Sequence, residues 1–364
     1  MDRVQQMLII AGSDSGGGAG IQADIKSASA RGVYAATAIT AITAQNTRGV
    51  RGVTVLPPDL VAAQIAAVLG DLSIDAVKIG MLGNAAVTRA VARSLDGYAG
   101  PVVVDPVMVA KSGDRLLDQD AETALIAHLL PRATLLTPNL PEAAALLQDH
   151  TDAKMSGGRV HETAAQGRGN RAEAHSEPGR REGAETERLD PAAHGAQLAE
   201  TGIAGPRDPC ADGATTAHGA GAWDPDLKGA KAAGASSPAS SSMARDDAGE
   251  DPLSAGGIGA RLLALGAGAV LVKGGHATGP VCSDLLVTQA GRHLFEAPRQ
   301  STRNTHGTGC SYASAITAEL AKGQALPQAV AAAHGWLQGA IRAADGLGVG
   351  RGQGPVHHFH EVWQ

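Results

Sequence analysis

The chain has 364 residues, 43% of them hydrophobic, a formal net charge of -6 and three cysteines. That length accommodates one large α/β domain or two of ordinary size. The acidic balance argues against a nucleic-acid footprint, no apolar run is long enough for a membrane span, and Cys210, Cys282 and Cys310 are too few and too scattered for a disulfide framework or a zinc site. The opening apolar run, Met7 to Gly12, is too short for a secretory leader, so a reducing cytoplasm is the expected setting.

In chain order, Met7 to Ala11, Ala76 to Met81, Pro101 to Met108 and Thr134 to Thr137 are short apolar runs that predict buried strands. Between them, Ala19 to Arg31, Pro58 to Gly70, Ala85 to Leu95 and Ala121 to Leu130 predict helices, with Pro58 and Asp59 suited to a first turn. Strand–helix alternation of this kind predicts an α/β fold with a mostly parallel sheet covered on both faces. From about 150 to 255 the pattern breaks into Gly, Ala, Ser, Pro, Arg, Glu and His, as in Ser236-Ser237-Pro238-Ala239-Ser240. Such a stretch cannot bury enough apolar surface to offset its ordering entropy and is expected to be a disordered insertion. Its histidines lack carboxylates at ligand spacing and carry little metal signal.

The α/β rhythm then resumes. Ala260 to Leu265 ends a helix, Ala269 to Lys273 is a strand, and Asp284 to Thr288 with Arg292 to Ala297 predict an antiparallel hairpin. Two alanine-rich helices follow. Residues 1–149 and 256–364 share one style and are expected to form a single domain, because loop-closure entropy rises slowly with insertion length.

Asn304-Thr305-His306-Gly307-Thr308-Gly309-Cys310 places glycines where a loop turns into a helix. Free N–H groups and the helix dipole favour an anion there. Cys310 in that first turn is either a small packed residue or a thiol whose ionisation the helix end favours. The stretch Gly12 to Gly20 is glycine-rich between strand and helix, yet it lacks the Lys-Ser/Thr of a P-loop and the acidic residue of a dinucleotide fingerprint. Asp24, just beyond it, either faces a ligand or complements its helix. Gln45 offers a donor and an acceptor suited to the edge of an aminopyrimidine or pyridine. Asp105, Asn139 and Glu142 stand at strand carboxyl ends, where open α/β sheets bind ligands. A carboxylate there can hold Mg²⁺, and Lys273 offers a cation for polyphosphate.

Together these segments, in order and over nearly all of the chain outside the insertion, resemble the hydroxymethylpyrimidine/phosphomethylpyrimidine kinases of thiamine biosynthesis. The carriers are Ile10 to Asp14 with Gly17 to Asp24, Thr43 to Thr47, Val77 to Leu82, Val104 to Met108, Leu136 to Glu142, Val270 to His276 and Ser301 to Cys310. The resemblance implies a ribokinase-like three-layer α/β/α fold and stepwise, ATP-dependent phosphorylation of the hydroxymethylpyrimidine and its monophosphate. It implies that Gln45 bonds the aminopyrimidine in a slot of Gly12, Met81 and Val107, with Asp24 a further substrate-binding candidate. Gly307, Thr308 and Gly309 would form an anion hole, and Cys310 would be the general base. Asn139, Glu142 and Lys273 would handle ATP and Mg²⁺, Asp105 being a weaker metal candidate. Lys111, on an expected lid, would touch phosphate. A homodimer is implied, with no nucleic-acid or membrane partner. A pyridoxal kinase and a catalytically silent pyrimidine-binding regulator are the rival readings.

Overall fold

Strand β1 (Gln6–Asp14) sets the plan. Leu8 and Ile10 point into one apolar cluster, Met7, Ile9 and Ala11 into another, and all five are buried. A strand buried on both faces belongs in the middle of a parallel sheet. The computed structural model describes residues 3–108, 119–157, 254–275 and 278–363. Among these, the strands form one nine-stranded sheet in the order β3-β2-β1-β4-β5-β6-β7-β8-β9.

Strands β2 (Tyr34–Asn46), β1, β4 (Ala76–Ile79), β5 (Val102–Val104), β6 (Leu135–Leu136) and β7 (Ala269–Val272) run parallel. β3 (Gly49–Val55) at one edge and β8 (Val281–Thr288) near the other run antiparallel to their neighbours, and β9 (Gly291–Pro298) closes a hairpin with β8. Helices α2 (Pro58–Asp71), α3 (Ala85–Ser94), α4 (Gln119–His128), α5 (Leu140–Gly157) and α6 (Ala255–Leu263) pack successively on one face. Helices α1 (Gly20–Ala30), α7 (Thr308–Ala321) and α8 (Leu326–Arg342) cover the other. The result is the three-layer α/β/α arrangement.

The central strands obey the same alternation. Val102 and Val104 face the cluster under α2 to α6, whereas Val103 faces α7 and α8. Leu136, Val270 and Val272 likewise oppose Leu135, Ala269 and Leu271. One residue breaks the chemistry without breaking the pattern. Lys78, between Val77 and Ile79 of β4, points toward α1 and α7 and is fully buried. Its Nζ meets Asp24 Oδ2 of α1 at 2.8 Å, and Asp24 Oδ1 accepts from Ser314 of α7 at 2.7 Å.

Some boundaries differ from expectation. β2 runs far upstream of the Thr43–Thr47 end that the sequence marks, and β3 was not expected: Gly49 and Gly52 dilute its pattern, and pairing with β2 supplies its order. Only Val102–Val104 of the Pro101–Met108 run is strand, since Pro106 cannot donate a ladder bond. α5 continues to Gly157, past the boundary expected at 149. The rest of the expected insertion lies outside the described residues except for the first two residues of its far end, where Ser254 caps α6 by accepting from Gly257 N–H.

Candidate active site

β1 pairs with β2 on one side and β4 on the other, so the chain order reverses there and leaves a crevice beyond the strand carboxyl ends. A cavity of about 760 Å³ occupies this position and extends past β5, β6 and β7 to α7 and α8. Gly12, Gln45, Met81 and Val107 line one end of it. Asn139, Glu142, Lys273 and the Gly307–Cys310 turn line the middle. Cys282, Pro298, Leu337 and Ile341 form a mostly apolar far wall.

The glycine turn owes its shape to steric necessity. Gly307 caps α7 with φ +75, a conformation that β-carbons disfavour, and a Cβ there would lie 1.8 Å from the Gly18 carbonyl oxygen. Gly20 closes the same approach from the opposite side: with φ +54, its Cβ would sit 2.3 Å from the Gly12 oxygen. No acidic residue occupies the first turn of α7, so its exposed N–H groups remain a place for an anion.

Next to this turn, an isolated parallel bridge sets Asn139 beside Lys273, with Lys273 N–H donating to Pro138 O at 2.9 Å. Lys273 Nζ donates to Asp105 Oδ1 at 2.8 Å, and Thr137 Oγ1 donates to the same oxygen at 3.1 Å. Burial alone would lower the Lys273 ammonium, but Asp105 and Glu142 outweigh it and hold it above its usual value. Burial would likewise raise Asp105, and the two lysines, Lys273 and Lys78, overcome it to hold the carboxyl low.

Asn139 and Glu142 bond reciprocally: Asn139 N–H donates to Glu142 Oε2 and Glu142 N–H to Asn139 Oδ1, both at 2.9 Å. This is a capping box at the start of α5, and it locks both side chains at the cavity wall. Burial pushes the Glu142 carboxyl up to about 7, with Asp105 adding to it and Lys273 opposing. Two carboxylates facing a shared space suit a hard divalent cation, which takes oxygen ligands from one or two carboxylates and from phosphate. Among the described residues no group of three acidic, histidine or cysteine side chains gathers, so the remaining ligands would come from substrate and water.

Cys310 departs from the expectation for a helix N-terminus. Burial, reinforced by Asp24 and Asp105, pushes its thiol up to about 12 against the pull of Lys78 and of Gly20 N–H. The free protein therefore holds a thiol, not a thiolate. Burial overrules the helix dipole, which amounts to only about half a charge.

Asp24 is not among the described residues that line the cavity; it is fully buried, bonded to Lys78 and Ser314. Lys111 lies outside the described residues. Sequence reasoning passed over Lys78 and His306, which both line the cavity. A lysine amid an apolar strand was the available signal for Lys78, and a histidine inside the glycine turn was that for His306.

The chain is matched by known proteins. The family model described as phosphomethylpyrimidine kinase matches residues 14–168 and 246–357. A hydroxymethylpyrimidine/phosphomethylpyrimidine kinase of Rhizobium meliloti is 40% identical over 357 residues, 98% of each chain. Among solved structures, an ADP complex of Bacillus subtilis pyridoxal kinase superposes with TM-score 0.65 at 25% identity, covering 100% of both chains. A phosphomethylpyrimidine kinase of Clostridium difficile gives TM-score 0.57 at 29% identity, over 93% of this chain and 100% of its own. The three-layer fold with its mostly parallel sheet, together with these matches, defines a ribokinase-like kinase. The chain belongs to the phosphomethylpyrimidine kinase family.

Proposed function

We propose that the protein transfers the γ-phosphoryl group of ATP to 4-amino-5-hydroxymethyl-2-methylpyrimidine and then phosphorylates the monophosphate to the diphosphate, in thiamine biosynthesis. The observation that carries this reading is the single cavity joining Gln45 at one end to the Gly307–Gly309 turn and Lys273 in the middle. The aminopyrimidine would lie against Gln45, Met81, Val107 and the Gly12 backbone, directing its hydroxymethyl group toward Cys310. The purine ring fits the apolar wall of Leu337 and Ile341.

Phosphoryl transfer asks a protein mainly to position its reactants and neutralise charge. The N–H groups of the α7 turn and the Lys273 ammonium, whose Nζ lies 3.3 Å from where a Gly309 β-carbon would stand, supply positive charge side by side. Mg²⁺, held by Glu142 with Asp105 as a weaker partner, would screen the phosphates when bound. The minor thiolate form of Cys310 takes the hydroxyl proton in the first step and becomes the thiol. In the second the acceptor is an already ionised phosphate and needs no base. We place the reaction in the cytoplasm, consistent with the few, scattered cysteines; no helix among the described residues is long and apolar enough to cross a membrane. We also expect a homodimer, for which exposed Tyr34, Ile42 and Val53 of β2 and β3 offer apolar surface to bury.

The test is chromatographic separation of products from protein, MgATP and the hydroxymethylpyrimidine, with pyridoxal in parallel. Mono- and diphosphate of the pyrimidine are expected. Phosphorylation of pyridoxal alone would move the assignment to vitamin B6 salvage, and binding without turnover would point to a silent sensor.

A further inference from the structure

We propose that Asp14 and His306 fix which way round the Gln45 side-chain amide sits, and thereby act as positioning residues that set the ring specificity of the enzyme. The proposal rests on the reading of Gln45 as the ring-recognising residue. Gln45 stands one residue before the end of β2 at the cavity wall, near Thr43 and His306. Thr43 Oγ1 lies 2.9 Å from the Ser13 carbonyl oxygen and 3.1 Å from Gln45 Oε1. Gln45 Nε2 lies 3.3 Å from His306 Nε2, which is also 3.0 Å from Asp14 Oδ2.

Hydrogens can be assigned by following the acceptors. The Asp14 carboxylate takes N–H donors from Gly16 at 2.8 Å, Gly18 at 3.1 Å and Ala19 at 2.8 Å. Burial would raise this carboxyl, but His306 and the backbone N–H groups of Gly16 and Ala19 overcome it and keep it below its ordinary value. An ionised carboxylate only accepts, so His306 must present a hydrogen on Nε2. A protonated ring nitrogen cannot accept from Gln45 Nε2. On the other side, the Thr43 hydroxyl has one hydrogen, and the Ser13 carbonyl can only accept it. Thr43 then has lone pairs alone to offer Gln45, and an amide oxygen facing them finds no donor.

One half-turn of the amide removes both conflicts, since its oxygen and nitrogen are nearly equal in size. Gln45 Nε2 then donates to Thr43, and Gln45 Oε1 accepts from the same His306 N–H that serves Asp14. One N–H and one lone pair remain for a ligand, in a fixed order. An aminopyrimidine edge is equally ordered, with an exocyclic amino donor beside a ring-nitrogen acceptor. Pyridoxal, overlaid by its hydroxymethyl group, carries a formyl oxygen in place of that amino group and a hydroxyl-bearing carbon in place of that nitrogen. An amide held one way round therefore favours the pyrimidine, whereas a freely turning amide would adapt to either ring. A mismatched buried polar group costs enough to change selectivity on the order of tenfold to a hundredfold.

Two measurements test this. ¹⁵N NMR of the histidine rings in the full chain, with His306 assigned by its loss in His306→Phe, should show Nε2 carrying hydrogen. A bare Nε2 would overturn the proposal whatever the enzyme's activity. In kinetics, His306→Phe and Thr43→Val should raise KM for the pyrimidine more than they lower kcat, and should narrow the pyrimidine-to-pyridoxal ratio of kcat/KM on the order of tenfold. His306→Gln and Thr43→Ser, which keep the needed donor or hydroxyl, should restore the ratio at least in part. An unchanged ratio in the first two variants, against an active wild type, would refute the proposal. A wild type that phosphorylates neither ring would refute the functional reading instead, while the ring-nitrogen result would still decide the orientation.

Discussion

Cys310 and Glu142 are both buried away from their ordinary protonation behaviour, and in the same direction. With the Cys310 thiol up at about 12, the thiolate fraction at neutral pH is small and rises about tenfold per pH unit. If the thiolate is the base, then with Mg²⁺ and ATP saturating at every pH the first phosphorylation should climb between about pH 6 and 9 while the second changes little. Cys310→Ala should reduce the first step by about 10²–10⁴-fold and the second far less. Separate rate measurements on the pyrimidine and its monophosphate check this; equal losses would remove Cys310 from the base role. For Glu142 the carboxyl is neutral below about 7 and ionised above it. Binding a divalent cation must then expel a proton at pH 6, so cation affinity should fall about tenfold per unit as the pH drops below 7. Titration calorimetry in buffers of different ionisation enthalpy should detect that proton. Glu142→Gln should abolish both its release and the pH dependence.

The elements explain what the sequence could and could not disclose. Strand–helix alternation, the glycine turn and the residues at strand carboxyl ends were legible because each leaves a local pattern: a period, a cap or a β-carbon that cannot fit. β3 was not legible, since its order comes from pairing with β2. The surroundings of Asp24 were not legible for a related reason. A carboxylate near a helix start looks free for a ligand or the helix dipole until the lysine that neutralises it, on β4, is known to lie against it. The elevated Cys310 thiol was hidden too, because the burial that raises it, and the Asp24 and Asp105 charges that add to it, come from distant stretches of the chain. At α7 the local signal was sufficient. Gly307→Ala must relieve a left-handed φ and a contact with Gly18 backbone together. It should cost about 2 kcal/mol or more of stability and lower kcat on the order of 10²-fold or more by tilting the anion turn. Chemical denaturation and steady-state kinetics measure the two separately. Wild-type kcat in a destabilised variant would show that the turn does not hold the phosphoryl group.

At the scale of the whole molecule, the described residues that line the cavity lie within 11–145 and 273–341. The family model leaves 169–245 unmatched. Removing that stretch and joining its ends with a short Gly/Ser linker should leave turnover of the pyrimidine within about threefold of the full chain, because closing a shorter loop changes the entropy of folding only slowly. Loss of soluble protein, or of activity in soluble protein, would give the stretch a role that the cavity does not reveal.

The sheet is joined across this stretch by few bonds. β6, from the first half, pairs with β7, from the second, at a single register position, Leu136 with Val270, reinforced by the bridge between Asn139 and Lys273. Most of the adhesion between the halves lies elsewhere, where α7 lies on α1 and β4 and covers the buried Lys78–Asp24 pair. Residues 1–168 made alone would leave that ion pair and the apolar side of β1 open to water, and 246–364 made alone would leave β7 an open edge. Produced as two separate polypeptides in one cell, the pieces should each be insoluble singly and catalytic together. Phosphorylation would then report that two chains have met.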